Sequence, residues 1–179
     1  MSVTTLLDYT YNDYKNWEGD WELIDGTPIS MAPAPMKIHQ KIAGELFFYL
    51  KQALKEECLE CEVLYETDWK VSNSTTVRPD ILLVCSDEGK QYISKAPKII
   101  IEILSPSTAK KDETVKFELY EEERVNYYIL VYPNDLKAKV YQLDKNRYSK
   151  IGDFTKEKLE FKGINCDIEL DFEKVFRRF

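Results

Sequence analysis

A chain of 179 residues with 44% hydrophobic and 13% aromatic content is long enough to build a core and too apolar to stay disordered. Its longest apolar runs span a few residues, far short of the roughly 20 that a membrane helix requires. A count of 32 acidic against 25 basic side chains leaves a net charge of −7, which argues against a surface devoted to nucleic acid, because phosphate binders show a basic footprint. Local groups such as Lys37, His39 and Lys41, or Lys110, Lys111 and Lys116, can still flank one cleft.

No Gly/Ser/Pro-rich linker or composition shift divides the sequence, so residues 1–179 are expected to form one domain. The first eight residues hold no basic stretch followed by an apolar run, so no export signal is expected and the cytoplasm is the expected location. Thr10 suits the N-cap of a short helix over Tyr11 to Trp17, closed by Glu18-Gly19-Asp20. Trp21-Glu22-Leu23-Ile24 and Pro28-Ile29-Ser30-Met31 read as strands joined by the turn Asp25-Gly26-Thr27. Glu22 alternates with Trp21 and Leu23, so it is expected to face water or a cleft. Pro33 and Pro35 punctuate the chain before the longest predicted helix, from about Lys37 to Glu57, in which Ile38, Ile42, Leu46, Leu50 and Leu54 recur every four residues. His39, the only histidine, sits at its start, where it can serve as a surface or capping residue, contact a phosphate or exchange a proton.

Two predicted strands follow, near Glu62-Val63-Leu64-Tyr65 and Asp68-Trp69-Lys70-Val71, and the loop Ser72 to Thr76 leads to Arg78-Pro79-Asp80 and the apolar strand Ile81-Leu82-Leu83-Val84. The strand from Lys98 to Leu104 lacks alternation, which suits a central position, yet Glu102 interrupts it. A carboxylate delivered by a core strand costs several kcal/mol unless it is paired, hydrogen-bonded or bound to a cation. Alone, Asp80 fits a turn-capping aspartate and Glu102 a buried ion pair with a lysine or arginine. Together they point to a divalent cation such as Mg2+ (or Mn2+), which takes one or two carboxylates with a backbone carbonyl, waters and a substrate phosphate. Such an ion supports phosphodiester hydrolysis by acidifying its water, and a nearby lysine would stabilise the transition state.

Ser105-Pro106-Ser107-Thr108 closes that strand and prepares a helix from about Lys110 to Arg124, with Val115 and Leu119 on its expected buried side. Strands at Tyr127 to Tyr132 and Ala138 to Leu143 flank the turn Pro133-Asn134-Asp135, and Tyr127, Tyr128 and Tyr132 are assigned to the core. Shorter strands near Tyr148, Leu159 and Ile168 precede a terminal helix from Asp171. This order predicts an α+β (α/β-type) fold with one mixed β-sheet and two principal helices. The four cysteines, Cys58, Cys61, Cys85 and Cys166, are too few for a disulfide framework and are expected to be reduced. Cys58 and Cys61 form a Cys-x-x-Cys after the end of a helix, but a zinc site needs two further ligands at suitable spacing, so a packing role is expected.

Arg78-Pro79-Asp80 followed by Glu102-Ile103-Leu104-Ser105-Pro106-Ser107-Thr108 resembles the Uma2 family of restriction-endonuclease-like proteins, within the PD-(D/E)XK nuclease superfamily. The resemblance spans most of the chain: Trp21 to Gly26 looks like the family's early hairpin, Ala34 to Gln40 like the approach to its first long helix, and Asp112 to Tyr120 like its later helix. It implies a restriction endonuclease-like mixed β-sheet with an N-terminal hairpin and a C-terminal strand extension, and a divalent-metal-dependent endonuclease acting on DNA. It also implies that Asp80 and Glu102 ligate the metal with the carbonyl of Ile103, and that Glu22 supports them. The superfamily places a lysine two residues after the acidic one, where this chain has Leu104. Lys116, in four-residue register with Asp112 and Tyr120, is the candidate replacement. Lys110 and Lys111 remain open for that role and, with His39, for phosphate contact. The competing readings are a catalytically inactive nuclease-fold module that binds nucleic acid or a protein partner, which Leu104 and the net charge favour, and a structural domain with a satisfied Asp/Glu/Lys network. A homodimer would place two sites on the two strands of a duplex.

Overall fold

The computed structural model describes residues 8–31, 36–54 and 58–179. The punctuation at Pro33 and Pro35, the first two residues of the family-like string from Ala34 to Gln40, most of the N-terminal octet and the predicted helix end at residues 55–57 lie outside the described residues.

Thr10 caps α1 (Tyr11–Tyr14), its N–H and hydroxyl donating to the Asp13 carboxylate at 2.8 and 2.7 Å, but the helix stops short of Trp17. Asp25 (φ 47°) and Gly26 (φ 72°) turn the chain between β1 (Trp21–Ile24) and β2 (Thr27–Ser30), the left-handed pair that a tight hairpin demands. α2 (Lys37–Ala53) buries His39, Ile42, Leu46 and Leu50 along one stripe. β3 (Cys61–Tyr65), β4 (Trp69–Lys70), β5 (Thr76–Val77), β6 (Ile81–Cys85) and β7 (Ile99–Ile103) follow. The helix predicted at Lys110 to Arg124 is broken at Thr114, where φ −125° and ψ −80° leave the helical region, into α3 (Ala109–Glu113) and α4 (Val115–Glu122). β8 (Tyr127–Tyr132), β9 (Lys137–Asp144) and β10 (Arg147–Phe154) complete the centre of the chain. β11 (Lys158–Phe161), β12 (Ile168–Asp171) and α5 (Phe172–Phe176) end it, with Asp171 accepting the Lys174 N–H at 3.3 Å as the α5 cap.

The expected mixed sheet is the six-stranded one, and the expectation changes only in that two smaller sheets accompany it. Six strands form the main one in the order β10-β9-β8-β7-β6-β3, four form β2-β1-β5-β4, and two form β11-β12. In the main sheet β7 and β8 run parallel and the other neighbours antiparallel. The N-terminal hairpin stays out of it because β1 pairs with the short β5 through Leu23 and Thr76, which leaves the hairpin as a cover on one face.

All residues of β6 and β7 are buried, which explains their missing alternation. Ile81, Leu83, Ile99, Ile101 and Ile103 face α2, β12 and α5, packed with Ile42, Leu46, Leu170 and Phe172. Leu82, Val84, Ile100 and Tyr128 face the opposite way, against Trp69, Val77 and Tyr120. Period-two alternation then puts Glu102 on the Ile100 side, facing α4. That placement corrects a second expectation: Val115 is 43% exposed, and Lys116 and Tyr120 take the buried side of α4, because the surface that α4 meets there is a carboxylate and not hydrocarbon. Tyr127 and Tyr128 are buried as expected, and Tyr132 is half-buried with its hydroxyl on Glu113.

The cysteines also depart from expectation. They gather where β6 ends, paired as Cys58–Cys166 and Cys61–Cys85, since the register of β3 on β6 sets Cys61 opposite Cys85 and the turn before β12 brings Cys166 to Cys58. Among the described residues no helix is long and apolar enough to cross a membrane.

Ile101 is fully buried at the centre of the main sheet, so Ile101→Ala should lower unfolding free energy by about 2–5 kcal/mol. Val115→Ala, at an exposed site, should change it by less than about 0.5 kcal/mol, both read from urea denaturation midpoints.

Candidate active site

The register of β6 on β7 pairs Ile81 with Ile101, and one step further along sets Asp80 opposite Glu102 on the α4 side of the sheet. Backbone groups fix the pair: the Ile103 N–H donates to Asp80 Oδ2 at 2.7 Å, and the Asp80 N–H points at Glu102 Oε2 at 3.4 Å.

α4 delivers Lys116 to these acids. Its Nζ lies 2.8 Å from Glu102 Oε1, 2.8 Å from Glu22 Oε1 and 3.7 Å from Asp112 Oδ1. The Tyr120 hydroxyl, one turn on, donates to Glu102 Oε1 at 3.0 Å. Glu22 also receives the Lys111 ammonium at 2.6 Å and the Arg78 backbone N–H at 2.9 Å. Glu22 is therefore fully buried instead of facing water, because the ammoniums of α3 and α4 close over a strand that the sequence shows as half-covered. Leu104, in the orthodox lysine position, is 6% exposed and packs in the core beside Ile100.

His39, from α2, sets Nε2 3.2 Å from Asp80 Oδ2. Asp80, His39, Glu102, Ile103, Lys111 and Lys116 all line one cavity of about 440 Å3. Lys110 is exposed on α3 and does not line this cavity. Sequence reasoning missed the Arg78 guanidinium, which also lines the cavity and is held by Asp68 at 2.7 Å and Asp20 at 2.8 Å. Its place directly before Pro79-Asp80 was the available signal. Asp112 and Tyr120 were legible only as one face of a helix.

Charge in the cavity is unevenly balanced. Burial pushes the Glu102 carboxyl up, Lys116 opposes, and the neighbouring Asp112, Asp80 and Glu22 reinforce the rise, to about 8. A carboxylate 2.8 Å from an ammonium would ordinarily fall, and the rise stands here because the same ammonium is shared with two other acids. Asp112 is raised by burial too, and its Oδ1 is buried without a hydrogen-bond partner. For Glu22 burial is again the largest influence, yet Lys116 and Lys111 together overcome it and hold the carboxyl at about 2. Burial alone would neutralise Lys116, but Glu102, Glu22 and Asp112 raise its pKa well above the usual lysine range, so it stays an ammonium. Burial likewise works against charge on His39, and the Asp80 contact outweighs it and raises the imidazole. Three carboxylates, Glu22, Glu102 and Asp112, thus share two ammoniums and Asp80 faces His39, with Arg78 already committed to Asp20 and Asp68. Such a surplus calls for protons or a cation.

An acid raised on folding keeps its proton where the unfolded chain has lost it, so Glu102 makes stability fall as pH climbs from the ordinary glutamate range through about 8. His39 acts in the same direction, since a base raised on folding loses its contribution as pH passes its folded pKa. Glu22 contributes oppositely, and only in acid, as pH falls through about 2. In metal-free buffer the melting temperature should therefore decline from about pH 5 to about pH 9, and Glu102→Gln should flatten the decline. An unchanged slope in that variant would assign the titration elsewhere.

The chain matches the Uma2 family, described as "Putative restriction endonuclease", over residues 8–171. The uncharacterized protein sll1609 of Synechocystis sp. is 25% identical over 178 residues, 97% of this chain and 96% of that protein. A crystal structure from Anabaena variabilis, described as a putative nuclease belonging to DUF820, has a TM-score of 0.73 at 18% identity and covers 94% of this chain and 97% of its own. That likeness establishes the restriction endonuclease-like fold. With the family match running from before the hairpin to the start of α5, this chain belongs to the Uma2 family, a nuclease-like family.

Proposed function

We propose that this protein is a divalent-metal-dependent endonuclease that hydrolyses DNA phosphodiester bonds. The observation that carries the reading is the pair Asp80 and Glu102, opposed across β6 and β7 beside a buried Lys116, in a cavity with more carboxylates than cations. The donor set fits a hard ion such as Mg2+ or Mn2+: carboxylate oxygens, a nearby backbone carbonyl at Ile103, and a buried acid, Asp112, with an unpartnered oxygen. Asp80, Glu102 and the Ile103 carbonyl would hold the ion. Its chemistry there would be to acidify a bound water and neutralise charge on a phosphoryl oxygen. Among the described residues the acids do not converge three at a time, and Mg2+ needs only one or two protein carboxylates because it keeps its waters.

The protein's own groups divide the remaining work. Glu102 must shed the proton that burial favours before it can ligate, which links metal binding to pH. Lys116 is held protonated, so it serves as a fixed positive charge beside the transferring phosphoryl group and takes no proton from water. Glu22 is a positioning residue, anchoring Lys116 and Lys111 by its two oxygens. Lys111 and His39 sit where phosphate oxygens would enter. A DNA substrate puts the work in the cytoplasm, and cutting both strands suits a homodimer. A second reading, a nuclease-fold module that binds nucleic acid or a protein without cutting, is favoured by an ion network already closed through Lys116 and by the net charge of −7.

Purified protein with Mg2+ or Mn2+ at low salt should nick supercoiled plasmid, with Asp80→Ala and Glu102→Ala abolishing nicking and Lys116→Met slowing it about 100-fold or more. Wild-type protein that neither nicks nor gains melting temperature with either metal would sink the enzyme and leave the second reading.

A further inference from the structure

The four cysteines come from parts of the chain that share no element. Cys58 follows α2, Cys61 begins β3, Cys85 ends β6 and Cys166 lies in the turn before β12. Three of their sulfurs nonetheless form one group, and Cys85 joins it through Cys61. Cys58 meets Cys166, Cys61 meets Cys85, and across the two pairs Cys61 Sγ lies 3.5 Å from Cys166 Sγ. The sulfurs of Cys58, Cys61 and Cys166 all lie within 4.8 Å of one another. Two structural disulfides gain nothing by touching, whereas four thiolates around one ion have to.

A zinc ion about 2.3 Å from each of four sulfurs separates them from one another by about 3.8 Å, close to the 3.5 Å between Cys61 and Cys166, and reduction frees the Cys85 side chain to turn toward the other three. Soft thiolates choose zinc over the hard ions that suit Asp80 and Glu102. Cys58-x-x-Cys61 has the spacing of a zinc knuckle, and the folded chain supplies the two ligands that the sequence around it lacks. Cys61 and Cys85 are buried and Cys58 and Cys166 half-buried at the edge of the main core, a setting that shields sulfur–metal bonds from water. Five residue steps along β6 separate Cys85 from Asp80, about 17 Å at the rise of a strand, so the two sites do not share groups.

We propose that Cys58, Cys61, Cys85 and Cys166, when reduced, form a tetrahedral site for one Zn2+, which ties the β11–β12 hairpin to the β3–β6 edge of the main sheet. Each disulfide takes two electrons from a phosphine and two protons from water to become two thiols, the phosphine leaving as its oxide. Zinc binding then releases the proton of each thiol that ligates as thiolate. The ion would serve the fold and not the hydrolysis, since the cluster sits at the opposite end of β6 from the acids.

The test uses the full chain, reduced with a phosphine and kept free of oxygen, and titrated with Co2+, whose tetrahedral thiolate complexes show a sulfur-to-metal charge-transfer band. The band should saturate at one Co2+ per chain and bleach with one equivalent of Zn2+, and bound Zn2+ should protect all four thiols from alkylation as counted by mass spectrometry. Cys58→Ser should weaken the binding read from the charge-transfer band roughly 100-fold or more, while Asp80→Ala should leave that band's titration unchanged. Where Cys58→Ser does not fold, thiol protection in the wild type decides. No charge-transfer band and no protection in the reduced protein, or two disulfides that persist in the folded chain under reductant, would overturn the site.

Discussion

Lys116 carries its charge at 2% exposure, and an ammonium taken out of water at that depth is tolerable only where carboxylates surround it. Glu22 comes from β1, Glu102 from β7 and Asp112 from α3, so the partners of this one cation belong to three different elements. The hairpin sheet, the main sheet and the helices are thereby clipped together at a polar point inside an otherwise apolar interface. The same requirement explains the form of α4. Its inward positions are Lys116 and Tyr120, its hydrocarbon residue Val115 is turned out, and the break at Thr114 lets α3 bring Asp112 and Lys111 to bear on the same spot.

Because Lys116 and Lys111 are divided among three acids and Asp80 faces His39, the site holds more carboxyl groups than ammoniums. Glu22 and Glu102 lie at the same distance from Lys116 yet shift in opposite directions, since Glu22 has a second ammonium and Glu102 has further carboxylates as neighbours. A site of this kind holds a fixed positive charge and a titratable acid side by side, which is the combination that metal-assisted phosphoryl chemistry uses. Under the proposed function it would also reconcile an acidic protein with an anionic substrate: the cations of the cavity are few and buried or half-buried.

β6 links the two chemically distinct ends of the molecule. Asp80 precedes its first residue and Cys85 is its last, so hard oxygen donors and soft sulfur donors are separated by a short, fully buried strand. Both ends depend on the same antiparallel pairings, with β7 setting Asp80 against Glu102 and β3 setting Cys61 against Cys85.

The elements and the acid pair were legible in the sequence because their causes are local. Thr10 and Asp171 mark helix starts, Asp25-Gly26 marks a hairpin, and Ile42, Leu46 and Leu50 mark the buried stripe of α2. Glu102 stood out because a charge in a β-branched strand has to be compensated. The burial of Glu22, the part of Arg78 and the break at Thr114 were not legible, since each depends on what packs against the residue and not on its neighbours in sequence. By itself the sequence determined which segments become helix or strand and that Asp80 and Glu102 need a partner, through steric and periodic rules acting over a few residues. Only the tertiary structure decided that Lys116 is the partner of Glu102 and His39 that of Asp80, that Lys110 lies outside the cavity and that Cys58 meets Cys166 across 108 residues, because those outcomes rest on strand register and helix docking between distant parts of the chain.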